Sequence, residues 1–241
     1  MKKDKPPYIH PDGSILPSVN QILDTTTETP SKTFTPSEEK KRQERMYRGS
    51  CCHAAIADLL SGTTPTIDEI ILPWWGSICG FVGGVVQSEA KILLSEQPLI
   101  HPVLRYGGTP DLVLSWDGKT TALIDLKSTE GTWSYDPETK NRSYTPYWNE
   151  YRKLEPSEIP PRFLTWDNAN PYLKRAFLQA TFYKMLTEYH DISISEIWIV
   201  VLTKAQYQII HLPSNLWNEC YGEAIARLKK FNTQQLENIV A

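Results

Sequence analysis

The sequence has few cysteines, and none stand in a metal-binding spacing. The four cysteines lie at positions 51, 52, 79 and 220, and no CxxC pair occurs. Vicinal cysteines rarely bridge to each other, so neither a disulfide framework nor a zinc or iron–sulfur cluster is predicted. A reducing, cytoplasmic setting fits this pattern best.

The chain also lacks a large excess of charge of either sign. Lys and Arg number 25 against 28 Asp and Glu, which gives a net charge of −3. Non-specific coating of nucleic acid by bulk charge is therefore not expected. A nucleic-acid substrate would have to be held by a local basic patch.

Long unbroken apolar runs are missing as well. The longest uncharged run, residues 70–88, contains Pro73 and several glycines, whereas a membrane span needs about 20 predominantly apolar residues. We therefore expect no membrane partner. The N-terminal lysines are followed by prolines instead of an apolar stretch, which is not the pattern of a signal peptide.

The sequence does contain a predicted β-hairpin over residues 107–127 that carries three charges. Both arms are rich in Leu, Val and Ile, which is typical of strands, and they flank a turn at Asp117. Asp111 interrupts the first arm, and Asp125 and Lys127 end the second. Charges are rarely buried in a sheet without a partner, so these three require an explanation.

The length of the turn decides whether the two aspartates meet. A two-residue turn pairs residue 111 with 124 and directs Asp111 away from Asp125. A three-residue turn over residues 117–119 pairs 111 with 125, with Cβ atoms about 5 Å apart. Facing carboxylates repel unless a cation lies between them, and hard oxygen ligands suit Mg²⁺ or Mn²⁺. We therefore predict an odd-length loop or a bulge at this turn.

The remaining patterns predict helices and strands on either side of the hairpin. Residues 1–37 indicate a tether with a short helix beginning near Ser18, and Ser37 is the predicted N-cap of the next helix. The other predicted elements are a helix over residues 36–60, one or two apolar helices over 74–94, a strand ending near Arg105, a helix from Asn170-Pro171 to about Tyr189, strands over 194–203 and 207–212, and a helix over 215–231.

Three features leave two interpretations open. The basic run over residues 40–48 is either a solvated helix face or a phosphate contact. Gly49 suggests either a break in the helix or a close approach of two backbones. Residues 131–169 mix aromatic and basic side chains, which would either stack on bases and hold phosphates or merely pin a long loop to the domain.

These pieces together resemble the PD-(D/E)XK nuclease superfamily, and specifically its RecB-like exonuclease branch. The signature stands here as Pro110-Asp111, thirteen residues, then Asp125-Leu126-Lys127. The flanking motifs are Arg48-Gly49 with His53, an upstream acid at Glu96, and Gln179 with Tyr183 on the helix that follows the hairpin. Residues 16–23 are also similar to the start of the mitochondrial genome maintenance exonucleases and their phage relatives. Glu89 is a rival for Glu96, which we prefer because Glu89 falls in a predicted helix.

The resemblance implies an α/β fold with a central mixed β-sheet flanked by helices, a restriction-endonuclease-like core. The nuclease domain would cover residues 38–241, with an insertion at about 131–169. It would be a metal-dependent DNA exonuclease that hydrolyses phosphodiester bonds. The alternatives are a structure-specific endonuclease and a non-cleaving DNA-end-binding subunit of a recombination complex.

The resemblance also implies a role for each candidate residue. His53, Asp111, Asp125 and the Leu126 carbonyl would ligate Mg²⁺ or Mn²⁺, without an iron–sulfur cluster. Lys127 would orient or deprotonate the attacking water. Glu96, Gln179 and Tyr183 would complete the catalytic site, and the DNA contacts would be Arg48, Trp148, Arg152 and Lys153. The expected partners are a free DNA end or a single strand, with recombination or replication proteins, in the cytoplasm of a bacterial or phage-infected cell.

Overall fold

The computed structural model describes residues 6–27, 34–130, 132–135, 142–145 and 171–240. The strands are β1 Tyr8–Ile9, β2 Ile15–Leu16, β3 Lys91–Ser95, β4 Leu99–His101, β5 Tyr106–Gly108, β6 Leu112–Trp116, β7 Thr120–Ser128, β8 Thr132–Tyr135, β9 Arg142–Thr145, β10 Glu196–Leu202 and β11 Tyr207–His211. The α-helices are α1 Val19–Thr26, α2 Pro36–Leu60, α3 Trp75–Gln87, α4 Pro171–Tyr189 and α5 Trp217–Val240, with 3₁₀ helices at Glu69–Trp74 and Ser214–Leu216.

A five-stranded mixed sheet forms the centre of the fold. Its order is β11-β10-β7-β6-β3, with β7 parallel to β10 and the other neighbours antiparallel. Successive side chains on a strand point to opposite faces. Leu123 therefore enters the core under α1, α4 and α5, while Ile124 enters the core under α2 and α3. This arrangement confirms the predicted α/β class with a mixed sheet flanked by helices.

The N-terminal helix α1 begins where the sequence predicts. Ser18 caps it in a capping box with Gln21, and its apolar residues Val19, Ile22 and Leu23 lie in the main core. The predicted cap of α2 at Ser37 is wrong. Thr35 caps that helix, because Pro36 suits the first helical position and Glu38 completes a capping box with Thr35. Ser37 is already inside the helix.

Gly49 lies within an unbroken α2. A Cβ atom at this position would stand 3.8 Å from Ser128 Oγ at the end of β7, which is an ordinary contact distance, so the glycine marks neither a break nor a close approach of two backbones. The same helix therefore passes directly over the strand that carries Asp125 and Lys127.

The most apolar segment of the chain lies against the sheet. By length and composition alone, Glu69–Gln87 is the one helical segment of the described residues that could cross a membrane, with a mean hydropathy of 1.4 and 39% of it buried. Its residues Ile71, Trp74, Ile78 and Phe81 belong to the core between α2, α3 and the sheet. The segment is thus a core element of this fold.

The hairpin turn has the odd length that the sequence predicts. Trp116 pairs with Thr120 and Leu112 with Ile124, and extending this register by one residue sets position 111 opposite 125. Asp117 and Gly118 adopt left-handed conformations with φ of 51° and 69°.

The predicted strand that ends near Arg105 is instead two strands. The chain forms the antiparallel pair β4–β5, which is separate from the central sheet. Glu96 lies one residue beyond β3 in a left-handed conformation with φ of 49°, and its N–H donates to the Asp111 carbonyl. Its rival Glu89 follows α3 instead of lying within it and is exposed.

Candidate metal and nuclease site

The candidate site forms where β6 and β7 separate. Pairing with β6 ends at Leu112 opposite Ile124, whereas pairing with β10 continues to Ser128. The backbone of Leu126 therefore faces a cleft. Its N–H donates to Asp111 Oδ2 at 2.7 Å, and its carbonyl oxygen lies 3.1 Å from His53 Nε2.

Two carboxylates and one imidazole converge at this cleft. His53 Nδ1 lies 3.2 Å from both Asp111 Oδ1 and Glu96 Oε1. His53, Glu96 and Asp111 each offer a ligand atom within 4.8 Å of the other two. The helix α2 brings in the histidine, the end of β3 the glutamate, and the approach to β6 the aspartate, so the site is assembled from three separate elements.

Asp125 is the most deeply buried charge of the site. Its side chain is 0% exposed, and its Oδ2 lies 2.6 Å from Lys127 Nζ. Within the described part of the chain, neither carboxylate oxygen accepts a hydrogen bond of standard geometry. The short N–O distance marks an ion pair whose angles are poor for hydrogen bonding, so the carboxylate remains poorly satisfied.

The local charges shift the pKa values of these groups in different directions. Burial raises the pKa of Asp125 to about 6, with the Lys127 ammonium opposing the rise and the Asp111 carboxylate adding to it. Burial by itself would also raise the pKa of Asp111, but the His53 imidazolium and Lys127 outweigh burial and lower that pKa. Burial opposes the charged form of His53, yet the facing carboxylates raise its pKa to about 10. The protein without metal therefore compensates its clustered acids with the imidazolium.

Helix α4 closes the other side of the cleft through a chain of hydrogen bonds. Lys127 Nζ donates to Gln179 Oε1 at 3.1 Å, and Gln179 Nε2 donates to the Tyr183 hydroxyl at 2.9 Å. Gln179 and Tyr183 lie four residues apart and so share one face of the helix. Burial, together with the two aspartates, raises the pKa of Tyr183 well above its usual range. The phenol therefore stays protonated.

Arg48 is buried in the structure, and its role as a DNA contact stays a prediction. The residue is 4% exposed, its guanidinium lies 4.3 Å from the Trp74 ring centroid, and Nη1 is 3.0 Å from Glu130 Oε1. Trp74 Nε1 in turn donates to the Thr129 carbonyl. Arg48 thus ties α2 to the end of β7.

Three other predicted DNA contacts, Trp148, Arg152 and Lys153, lie outside the described residues. Of the predicted insertion at about 131–169, the structure describes β8 and β9, which pair antiparallel. The division into a tether and a nuclease domain stays a prediction.

The donor set of the cleft fits a divalent metal ion. It comprises the His53 imidazole and the carboxylates of Glu96 and Asp111, whose ligand atoms lie within 4.8 Å of one another; Asp125 does not belong to this group. The Leu126 carbonyl lies beside His53. Oxygen donors suit Mg²⁺, and an imidazole nitrogen is also compatible with Mn²⁺. The Asp125 carboxylate lies beside this group: it is fully buried, pairs with the Lys127 ammonium and accepts no hydrogen bond of standard geometry from the described residues.

Sequence reasoning missed one pair of residues beside the site. The Tyr8 and Thr109 side-chain oxygens share a hydrogen bond of 2.9 Å, two residues before Asp111. The signal in the sequence was the Gly107-Gly108 pair, since consecutive glycines permit close approach of other groups.

Comparisons with known proteins give weak similarities to exonuclease structures. The alkaline exonuclease LHK-Exo from Laribacter hongkongensis is 13% identical over 92% of each chain, with a TM-score of 0.38. The structure of LHK-Exo in complex with dAMP is 15% identical over 94% of this chain and 95% of that chain, also with a TM-score of 0.38. A candidate exonuclease from Eubacterium rectale is 10% identical over 89% of this chain and 70% of that chain, with a TM-score of 0.41. No family model and no curated protein sequence matches the chain. At these levels of similarity, function has to be argued from the residues of the site.

Proposed function

We propose that this chain is a metal-dependent PD-(D/E)XK deoxyribonuclease, and that it acts as an exonuclease of the RecB-like branch. The observation that carries the proposal is the buried Asp125 carboxylate beside Asp111. Two acids at this depth are stable together only with positive charge between them. The adjacent lysine and the Leu126 carbonyl, which lies 3.1 Å from His53 Nε2, complete a site suited to phosphodiester hydrolysis.

Each side chain of the cleft has a distinct proposed task. A divalent metal ion supplies charge stabilisation and an acidified water; Asp111, Asp125, His53 and the Leu126 carbonyl would hold it. Lys127, fixed between Asp125 and Gln179, orients or deprotonates the attacking water. Glu96 positions the nucleophile or ligates through water.

The remaining groups would bind the substrate. Gln179 and Tyr183 hold the scissile strand, and their mutual hydrogen bond fixes both side chains before DNA arrives. Trp148, Arg152 and Lys153 are proposed to stack on bases and to hold phosphates. The substrate would be a free DNA end or a single strand. We propose a cytoplasmic site of action in a bacterial or phage-infected cell, with recombination or replication proteins as partners.

The test uses end-labelled linear DNA and closed-circular DNA with Mg²⁺ or Mn²⁺. Loss of label from the ends with intact circles is the expected result, and EDTA should abolish it. Cleavage of circles would identify the structure-specific endonuclease instead. Binding without any product would identify a DNA-end-binding subunit, although a degenerate copy would be expected to have lost at least one signature residue, and all are present here.

A further inference from the structure

The segment before α1 is fastened onto the strand that leads to Asp111. Gly107 N–H donates to the Pro17 carbonyl at 2.9 Å. Arg105 on the approach to β5 contacts Asp12 at 3.1 Å and Ser14 Oγ at 2.7 Å. These contacts come from both ends of the β1–β2 hairpin, so the hairpin has a defined position against β5.

The Tyr8 ring lies directly on Gly107. A Cβ atom at position 107 would stand 2.2 Å from Tyr8 Cγ, a distance that real contacts do not reach. On the neighbouring residue, a Cβ at Gly108 would stand 2.8 Å from Tyr183 Cε1. Adjacent residues of a strand point to opposite sides, so the strand before Asp111 is held between two tyrosines, one from each side.

The Tyr8 hydroxyl reaches further towards the site than its ring. It shares a hydrogen bond of 2.9 Å with Thr109 Oγ1, and Thr109 is 7% exposed. Pro110 follows, and its ring restricts the backbone between Thr109 and Asp111. A displacement of Thr109 is therefore passed on to the Asp111 carboxylate, whose Oδ2 is already fixed by the Leu126 N–H.

We propose that Tyr8 is a positioning residue of the nuclease site, which acts through Thr109 to set the Asp111 carboxylate. This inference rests on the proposed function, since it concerns the same metal-binding aspartate. It makes the N-terminal β1–β2 hairpin a part of the site. The predicted role as a tether would then be incomplete.

The test compares Tyr8→Phe with Thr109→Val and with the double variant in the full chain. Tyr8→Phe keeps the ring on Gly107 and removes only the hydroxyl. We expect the Kd for Mn²⁺ alone, measured by calorimetry, to rise about fivefold, as for the loss of one hydrogen bond. The kcat should fall by a similar factor while KM for DNA stays within about twofold.

A double-mutant cycle separates positioning from general stability. If the two hydroxyls act through each other, the double variant binds Mn²⁺ no more weakly than either single variant. Tyr47→Phe is the matched control, because it removes a tyrosine hydroxyl that donates to Asp68 away from this strand. Its Mn²⁺ affinity should equal that of the wild type.

The outcomes distinguish this inference from the proposed function. A wild-type protein that neither binds Mn²⁺ nor cuts DNA overturns both. A wild type that does both, with Tyr8→Phe unchanged in Mn²⁺ affinity and kcat, overturns the positioning role alone. Independent, additive effects of Tyr8→Phe and Thr109→Val would also overturn it, since the two residues would then not act as a pair.

Discussion

Replacing Asp125 by Asn should stabilise the metal-free protein while removing its metal site. The carboxylate is fully buried, and the rise of its pKa from 3.8 to about 6 corresponds to about 3 kcal/mol of cost for the charged form. That cost already includes the opposing effect of the ion pair with the partly exposed Lys127, which Asn also removes. The expected gain for Asn is therefore about 3 kcal/mol near pH 7.5, or a rise of about 9 °C in the unfolding midpoint.

The size of this effect depends on pH. Because the folded protein holds the Asp125 proton more tightly than the unfolded chain, the contribution of this group to stability is full below about pH 4 and is lost as the pH rises through about 6. Asn has no such proton. The advantage of Asp125→Asn should therefore grow between these pH values and stay constant above them.

The assay is thermal and urea denaturation of both proteins in EDTA and then with saturating Mn²⁺. The ion should stabilise the wild type by mass action and leave Asp125→Asn unchanged. The reasoning is refuted if Asp125→Asn is the less stable protein in EDTA at pH 7.5, or if Mn²⁺ stabilises it as much as the wild type. Asp125→Asn should also lack cleavage activity.

Three further substitutions test other parts of the structure. Lys127→Ala should abolish cleavage while the circular dichroism spectrum and DNA binding persist, and near-native turnover would reject its assignment. Gly107→Ala should destabilise the fold by about 1–3 kcal/mol in urea titrations, because the tyrosine ring on it must move. The control Gly76→Ala, on an open face of α3, should be neutral or stabilising. Arg45→Glu, on the exposed part of α2, should raise KM at low salt if the basic run contacts phosphates. The control Lys229→Glu on α5 should leave KM unchanged. Equal KM values for Arg45→Glu and the wild type would favour a solvated helix face.

The sequence predicts those parts of the site that depend on local geometry. Side chains alternate between the two faces of a strand, so a turn with an odd number of residues places Asp111 opposite Asp125. The order of residues along the hairpin is enough to predict this. The four-residue spacing of Gln179 and Tyr183 likewise requires one helix face. In both cases the residues that fix the geometry lie close to one another in the sequence.

Features that depend on distant contacts could not be predicted in this way. Arg48 is buried because its guanidinium packs on Trp74 and pairs with Glu130, two residues far from it in the chain. The bond from the Leu126 N–H to Asp111 arises because β6 ends early and leaves this donor without a strand partner. Tyr8 joins the site through a contact across about 100 residues. Local patterns carry no signal for such pairings.

The candidate site takes residues from both faces of the sheet, and this determines how late in protein synthesis the site can form. His53 arrives with the helix layer on one face, and Gln179 and Tyr183 arrive with the layer on the other. A nascent chain that has left the ribosome only as far as β7 holds both aspartates and Lys127, but the partner that fixes the lysine has not yet been made. The candidate site is therefore complete only after α4 has emerged and docked, so most of the chain has to be synthesised before the proposed activity begins.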